Sequence, residues 1–214
     1  MPQRLTRYAP LTGALFAVLV IVAFVTGGET PDANASPIKV LTYYAAHRSR
    51  IETSAVLVAF AFLFAVFWAA TLYGYLRRNG GSDALAVLVL VGGALMAVGA
   101  GTLAGAEYGL AHNLGHLGPQ TAQALNVLSN TLFLPLIFGS CVFGLASGLA
   151  ILGGAGLPRW LGWVAVVAGV CSAIPPIGFF ALLLFVLWSL VVSILLFVRS
   201  EPQAAAPAVP APAM

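Results

Sequence analysis

The sequence predicts an all-α polytopic membrane bundle of six transmembrane helices with both termini on the cytoplasmic side. Three observations carry that expectation. Of 214 residues, 61% are hydrophobic and 7% are charged, where a soluble domain carries about 25% charged residues. Mean hydropathy is +1.01, and the apolar residues collect in runs near the ~20 residues that a helix needs to cross a hydrocarbon core. The basic residues sit unevenly at the ends of those runs. A chain of 214 residues has room for about six such helices and their connections, hence for one membrane domain over residues 1–200.

Taken in order, the first run covers about residues 11–27 and follows Arg4 and Arg7. Ala33-Asn34-Ala35 mimics a signal-peptide cleavage site. The run nevertheless exceeds the roughly 7–15 residues of a signal core and the site lies far beyond it, so an uncleaved helix is preferred over a mature chain starting at Ser36. The second helix covers about 51–76 and the third 83–110, with Arg77, Arg78 and Gly80-Gly81 forming the turn and Ser82 placed to cap the third. The fourth covers 124–152, the fifth 160–174 and the sixth 179–198, Pro175-Pro176 separating the last two. Pro135 cannot donate to the Thr131 carbonyl and predicts a kink within the fourth helix. The Ala/Pro segment 201–214 has no packable pattern and is expected to be a disordered tail.

Between the first two spans, Ser36-Pro37 is a helix start, and Val40, Tyr43, Tyr44, His47 and Ile51 recur at helical spacing. This predicts an amphipathic helix over 37–50 lying on the outer surface, whose Lys39, Arg48 and Arg50 meet lipid headgroups. With alternating helices, Arg4, Arg7, Arg77, Arg78, Arg159 and Arg199 fall on one side and only Lys39, Arg48 and Arg50 on the other. The positive-inside rule makes the first side cytoplasmic. Trp160 and Trp163 beside Arg159 suit a headgroup boundary. Because the nine basic residues track the membrane boundaries, no nucleic-acid footprint is expected despite the net charge of +3. Cys141 and Cys171 lie in apolar runs without metal-ligand spacing, which argues against a disulfide framework or structural zinc.

Lipid supplies no hydrophobic force between helices, so small residues that let backbones approach become the packing signal. Gly93, Ala97, Gly101, Gly105 and Gly109 recur at every fourth position in the third helix, and Ser140, Gly144 and Gly148 do so in the fourth. These stripes predict that the third and fourth helices form the tightly packed centre.

Polar residues gather at the outer side. Glu107, Tyr108, His112, Asn113, His116, Asn126, Ser129 and Asn130 converge there in topology with Glu52 and Thr53. Ionisable groups at membrane depth are costly and face an interior or a watery cavity, which makes Glu107 the most informative residue. A crevice lined by Glu52, Glu107, Tyr108, His112, His116, Asn126 and Asn130 is therefore expected. His112 and His116 are four apart, which would put both imidazoles on one helical face as weak metal candidates. Glu107 falls about 140° away from His112 on an ideal helix and is no local third ligand. A carboxylate here calls for a cation, and Arg48 or Arg50 with Glu52 or Glu107 is the arrangement preferred over a Ser129- or Ser49-based hydrolase. No nucleophile-elbow, zinc-protease, phosphate-loop or dinucleotide motif occurs in context, and no cofactor is implied.

Asp32, the stretch Tyr43-Tyr44-Ala45-Ala46-His47-Arg48, and Leu157-Pro158-Arg159-Trp160-Leu161-Gly162-Trp163 followed by Gly169 resemble a family of bacterial six-helix membrane proteins common in high-GC actinobacteria. The resemblance covers most of the chain in layout. It implies a six-helix fold in a bacterial inner membrane and transfers no catalytic residue. The expected function is non-catalytic binding of a lipid-like molecule or a partner membrane protein through the outward crevice, and the expected partners are the lipid bilayer and a membrane-protein partner or homo-oligomer. The alternatives are a metal-dependent membrane enzyme using His112 and His116, and a small transporter or channel with Glu107 as an ion or proton site.

Overall fold

A computed structural model describes residues 7–199, all helix and connection among them with no strand. The elements are α1 (Leu11–Gly27), α2 (Pro37–Ala46), α3 (Arg48–Arg78), α4 (Asp83–His112), a 3-10 turn (Leu114–His116), α5 (Pro119–Thr131), α6 (Leu134–Leu152), α7 (Arg159–Ser172) and α8 (Pro175–Arg199). Four helical stretches are long and apolar enough to cross a membrane: Arg48–Arg78, Asp83–His112, Pro119–Leu152 and Ile177–Arg199. The chain is a helical membrane protein on that ground. At 17 and 14 residues, α1 and α7 rise only about 26 and 21 Å, short of the ~30 Å hydrocarbon core. The tail expected over 201–214, like Arg4, lies outside the described residues.

Neighbours in space follow a ring. α1 lies along α3, α3 along α4, α4 along α6, α6 along α7, and α8 closes the circuit against α7 and α1. One end of the ring holds Arg77, Arg78, Asp83, Arg159 and Arg199, where Arg199 donates to the Gly156 carbonyl at 2.8 Å and Arg77 pairs with Asp83 at 2.7 Å. The other end holds Glu52 and His112, and α2 and α5 cap it. Those caps pack on each other and on the helix ends through Val40, Tyr44, Ile51, Leu110, Ala111 and Ala122.

Inside the ring, the middle of the bundle is filled. Phe143, Phe185 and Trp188 meet at ring-centroid distances of 5.1, 5.7 and 6.4 Å, the edge-to-face and stacked spacings that aromatic pairs favour. Trp188 donates its indole N–H to the Leu161 carbonyl at 2.9 Å, which fixes α8 on α7 without an orphaned donor.

Several boundaries differ from the sequence expectation. The amphipathic helix stops at Ala46, and His47 takes a non-helical conformation, so Arg48 and Arg50 open α3 instead of closing α2. Its start is as read: the Ser36 hydroxyl accepts from the Lys39 amide at 3.4 Å. Ser82 occupies the cap position of α4, but its side chain makes no capping bond. Pro135 does not kink a continuous helix. The helix ends at Thr131 and restarts at Leu134, with Pro135 in the first turn, where its missing N–H costs no intrahelical bond. Helix formation in this stretch also begins earlier, at Pro119, behind Gly118.

The glycine stripe of α4 faces the wrong way. A Cβ added at Gly101, Gly105 or Gly109 meets nothing within 4 Å, so these positions contact no helix. Close approach uses Gly92 and Gly99 instead, where a Cβ would fall 2.6 Å from the Phe143 amide nitrogen and 2.3 Å from that of Leu136. Gly139 returns the contact at 2.4 Å from the Met96 nitrogen. Gly93 is in contact, but its neighbour is Ala69 of α3 at 2.4 Å. Ala97 is partly buried against the core. Gly144 and Gly148 also serve another partner: their nearest neighbours are Ala165, Gly169, Gly162 and Val166 of α7. α4 and α6 are indeed packed closely, through residues one helical face away from the predicted stripe. Ser140 is buried on α6 and turns its hydroxyl back to the Leu136 carbonyl at 2.8 Å.

Candidate functional site

The half of the ring nearer Glu52 and His112 is hollow. A cavity of about 220 Å³ has one wall from each of α1, α3, α4, α6 and α8. Its apolar end is formed by Phe62, Ala100, Leu136, Leu182 and Val186, and its polar end by Gly27, Gly28, Thr30, Ser54 and Glu107. Between Ala100 and Glu107 the α4 backbone advances seven residues, about 10 Å, so the change from apolar to polar runs along the helix axes. A second cavity of about 210 Å³ lies between α6, α7 and α8, and Leu136 and Leu182 line both. These two side chains thus border both hollows.

The mouth is built from local backbone needs. Gly28 ends α1 with φ 63°, a left-handed conformation that side chains resist. A Cβ there would lie 1.6 Å from Arg50 Nη2. Arg50 uses that space to donate from Nε and Nη2 to the Gly27 carbonyl at 3.0 and 2.8 Å, supplying a charged donor to an orphan carbonyl at a helix C-terminus. Ser54 donates to the Ala23 carbonyl at 2.9 Å. Its hydroxyl is committed to the wall. Arg50 is therefore a brace between α1 and α3, where the sequence suggested a headgroup contact.

The sequence-predicted crevice residues separate into three groups. Glu52 Oε1 accepts from Arg48 Nε at 2.9 Å and lies 3.1 Å from His112 Nδ1. The His112 ring stacks on Tyr108 at 5.3 Å with 12° between planes. These residues form an exposed polar cluster at the helix ends, outside the cavity. Asn126 and Asn130 line neither of these two cavities. Asn126 donates to the Pro31 and Asp32 carbonyls at 3.2 and 3.1 Å, and Asn130 donates to Pro31 at 3.4 Å and to the Asn126 carbonyl at 2.8 Å. Gln123 extends the row with a bond to the Ala35 carbonyl at 3.1 Å. One polar face of α5, at spacing i, i+3, i+7, therefore holds the 31–35 loop, whose carbonyls would otherwise be buried without partners. Only Glu107 lines the cavity.

His112 and His116 do not share a helical face. α4 ends at His112, and His116 belongs to the following 3-10 turn, so the spacing that suggested a metal pair is not realised. Among the described residues no group of three or more His, Cys, Asp or Glu could hold a metal ion. Cys141 and Cys171 are free. Lys39 is exposed on α2.

Tyr44 was not legible as a site residue, yet it is fully buried at the α2–α5 junction. Its hydroxyl lies close to Ser129 without a well-formed hydrogen bond. Burial, then the charge of Glu107 and the neighbouring Tyr43, pushes the phenol up from its ordinary value, the Ser129 hydroxyl working in the opposite direction. The phenol therefore stays neutral.

Compared with protein-family models, curated proteins and solved structures, the chain matches none.

Proposed function

We propose that this chain is a six-span, non-catalytic binding protein of a bacterial inner membrane, with both termini cytoplasmic, that holds a lipid-like molecule in the cavity bounded by α1, α3, α4, α6 and α8. α1 and α7 complete the six spans by tilting neighbours or by local bilayer thinning, each a modest cost in membranes. The arginine end is then cytoplasmic and the cavity mouth outward, in accord with the bias of Arg77, Arg78, Arg159 and Arg199. The single observation that carries the reading is the cavity itself: about 220 Å³, apolar at one end and polar at the other. Pockets of this make-up, mostly apolar with a few convergent polar groups, are the usual form of small-molecule sites. The resemblance to six-helix actinobacterial membrane proteins supports the span number and the location.

Native mass spectrometry of gently purified protein tests it. Wild type is expected to carry a lipid-like adduct, and Val58→Phe, which fills the cavity from a partly buried position on α3, to lack it while melting near the wild-type temperature. An adduct retained in Val58→Phe would overturn the assignment of the site. A second reading, a small transporter, draws on the helix break at Leu132–Phe133, since Phe133 and Leu136 line the second cavity. Flux into proteoliposomes that vanishes in Glu107→Gln would promote it.

A further inference from the structure

Of the side chains lining the larger cavity, Glu107 alone is ionisable. It makes no hydrogen bond or salt bridge among the described residues; the ion pairs at this end use Glu52 instead. A carboxylate withdrawn from water requires a cation or several donors. The donors nearest it are committed or uncharged: Ser54 serves Ala23, Arg50 serves Gly27 from outside the lining, and Thr30 at the mouth offers one neutral hydroxyl. Tyr44 carries a buried hydroxyl with no partner but belongs to the α2–α5 junction. No cation among the described residues pairs with Glu107, and the hollow leaves room for one to enter.

We infer that the cavity takes an alkyl chain bearing a primary ammonium group, the ammonium paired with the Glu107 carboxylate and the chain lying along Leu103, Ala100 and Phe62. This rests on the cavity being the binding site. The polarity gradient fixes the orientation: Glu107 and Thr30 stand at the mouth, while Phe62, Ala100, Leu136 and Val186 close the far end. A headgroup that entered first would leave its hydration for an apolar wall, and the reverse entry leaves it at the carboxylate. An anionic head meets repulsion at Glu107, and a neutral hydroxyl meets one acceptor without charge assistance. Leu136 and Leu182 also line the second hollow, so longer chains gain room when those side chains turn. A free long-chain amine and a lipid whose head ends in an ammonium share this chemistry.

Binding of octylamine, octanol and octanoate to the full chain in nonionic maltoside micelles tests the inference by calorimetry. Octylamine is expected to bind about tenfold more tightly than octanol, the usual advantage of a charge-assisted hydrogen bond, and octanoate more weakly than either. Glu107→Gln should remove the amine's advantage while octanol binding stays as in wild type, and Val58→Phe should remove all three. Displacement of octylamine by phosphatidylethanolamine would identify the lipid as the source, and failure to displace would identify a free amine; both outcomes sustain the ammonium assignment. Equal affinity for amine and alcohol, or an amine affinity unmoved by Glu107→Gln, overturns the ammonium assignment and leaves the cavity standing. If none of the three binds wild type, the binding reading falls with it.

Discussion

The two halves of the helix ring solve the same problem in opposite ways. At the arginine half, backbones touch: Gly148 meets Gly162 and Val166, Gly92 meets Phe143, and Phe185 and Trp188 fill the axis at mid-height. Dispersion between close backbones holds helices together where lipid supplies no hydrophobic force. At the other half a hollow opens between the helices; α4 and α6 still touch at Gly99 and Leu136, while the remaining ties are side chains reaching to carbonyls, namely Arg50 to Gly27, Ser54 to Ala23 and Asn126 to Pro31 and Asp32. Such bonds each contribute modestly. They also leave the interior unfilled. The room for a ligand is concentrated in one half.

The sharpest way to break this comparison is a pair of glycine substitutions. Gly139→Ala drives a Cβ to 2.4 Å from the Met96 backbone and should cost about 3 kcal/mol, the upper end of overpacking penalties. Gly101→Ala, with nothing within 4 Å, should instead gain up to about 1 kcal/mol of helix propensity. Melting in nonionic detergent reads both, and shifts of equal sign would erase the distinction between the faces of α4. Next in size, Asn126→Leu removes two bonds to the 31–35 loop and should cost about 2 kcal/mol, with faster proteolysis near Asp32 as its local signature. Arg50→Ala should cost about 1 kcal/mol and loosen the α1 end at Gly27, detectable as faster amide exchange at Gly28 and nowhere in the arginine half. Smallest of all, His112→Ala removes an exposed pair with Glu52 and should leave the melt unchanged, as exposed ion pairs usually do. A large loss there would mean that the helix-end cluster, not the cavity, organises this region.

Much of the fold could be read directly. Hydropathy located the long apolar stretches, Ser36-Pro37 marked the start of α2, and Arg77 to Gly81 marked the turn before α4, because each signal is local and depends on single residues. Helix faces could not be read in the same way. α4 carries glycine on both sides, at 92, 93 and 99 and again at 101, 105 and 109, and only the partner's shape decides which set is covered. Pro135 carried a real signal, but a proline fits a kink and a first turn equally well until the preceding helix is seen to stop at Thr131. In the site, Glu107 was legible from the cost of its charge, whereas Gln123, Ser54 and Arg50 were not singled out as wall-building donors. Their partners are backbone carbonyls 88, 31 and 23 residues away, contacts with no sequence pattern of their own.

The most direct test of the hollow half is where a bound chain touches the protein. Octylamine carrying a diazirine at its chain end, photolysed on wild type and mapped by peptide mass spectrometry, should label Phe62, Ala100 or Val186 at the closed end of the cavity. Label confined to residues on the ring's outside, such as Phe60, Phe67 and Val98, would contradict the account.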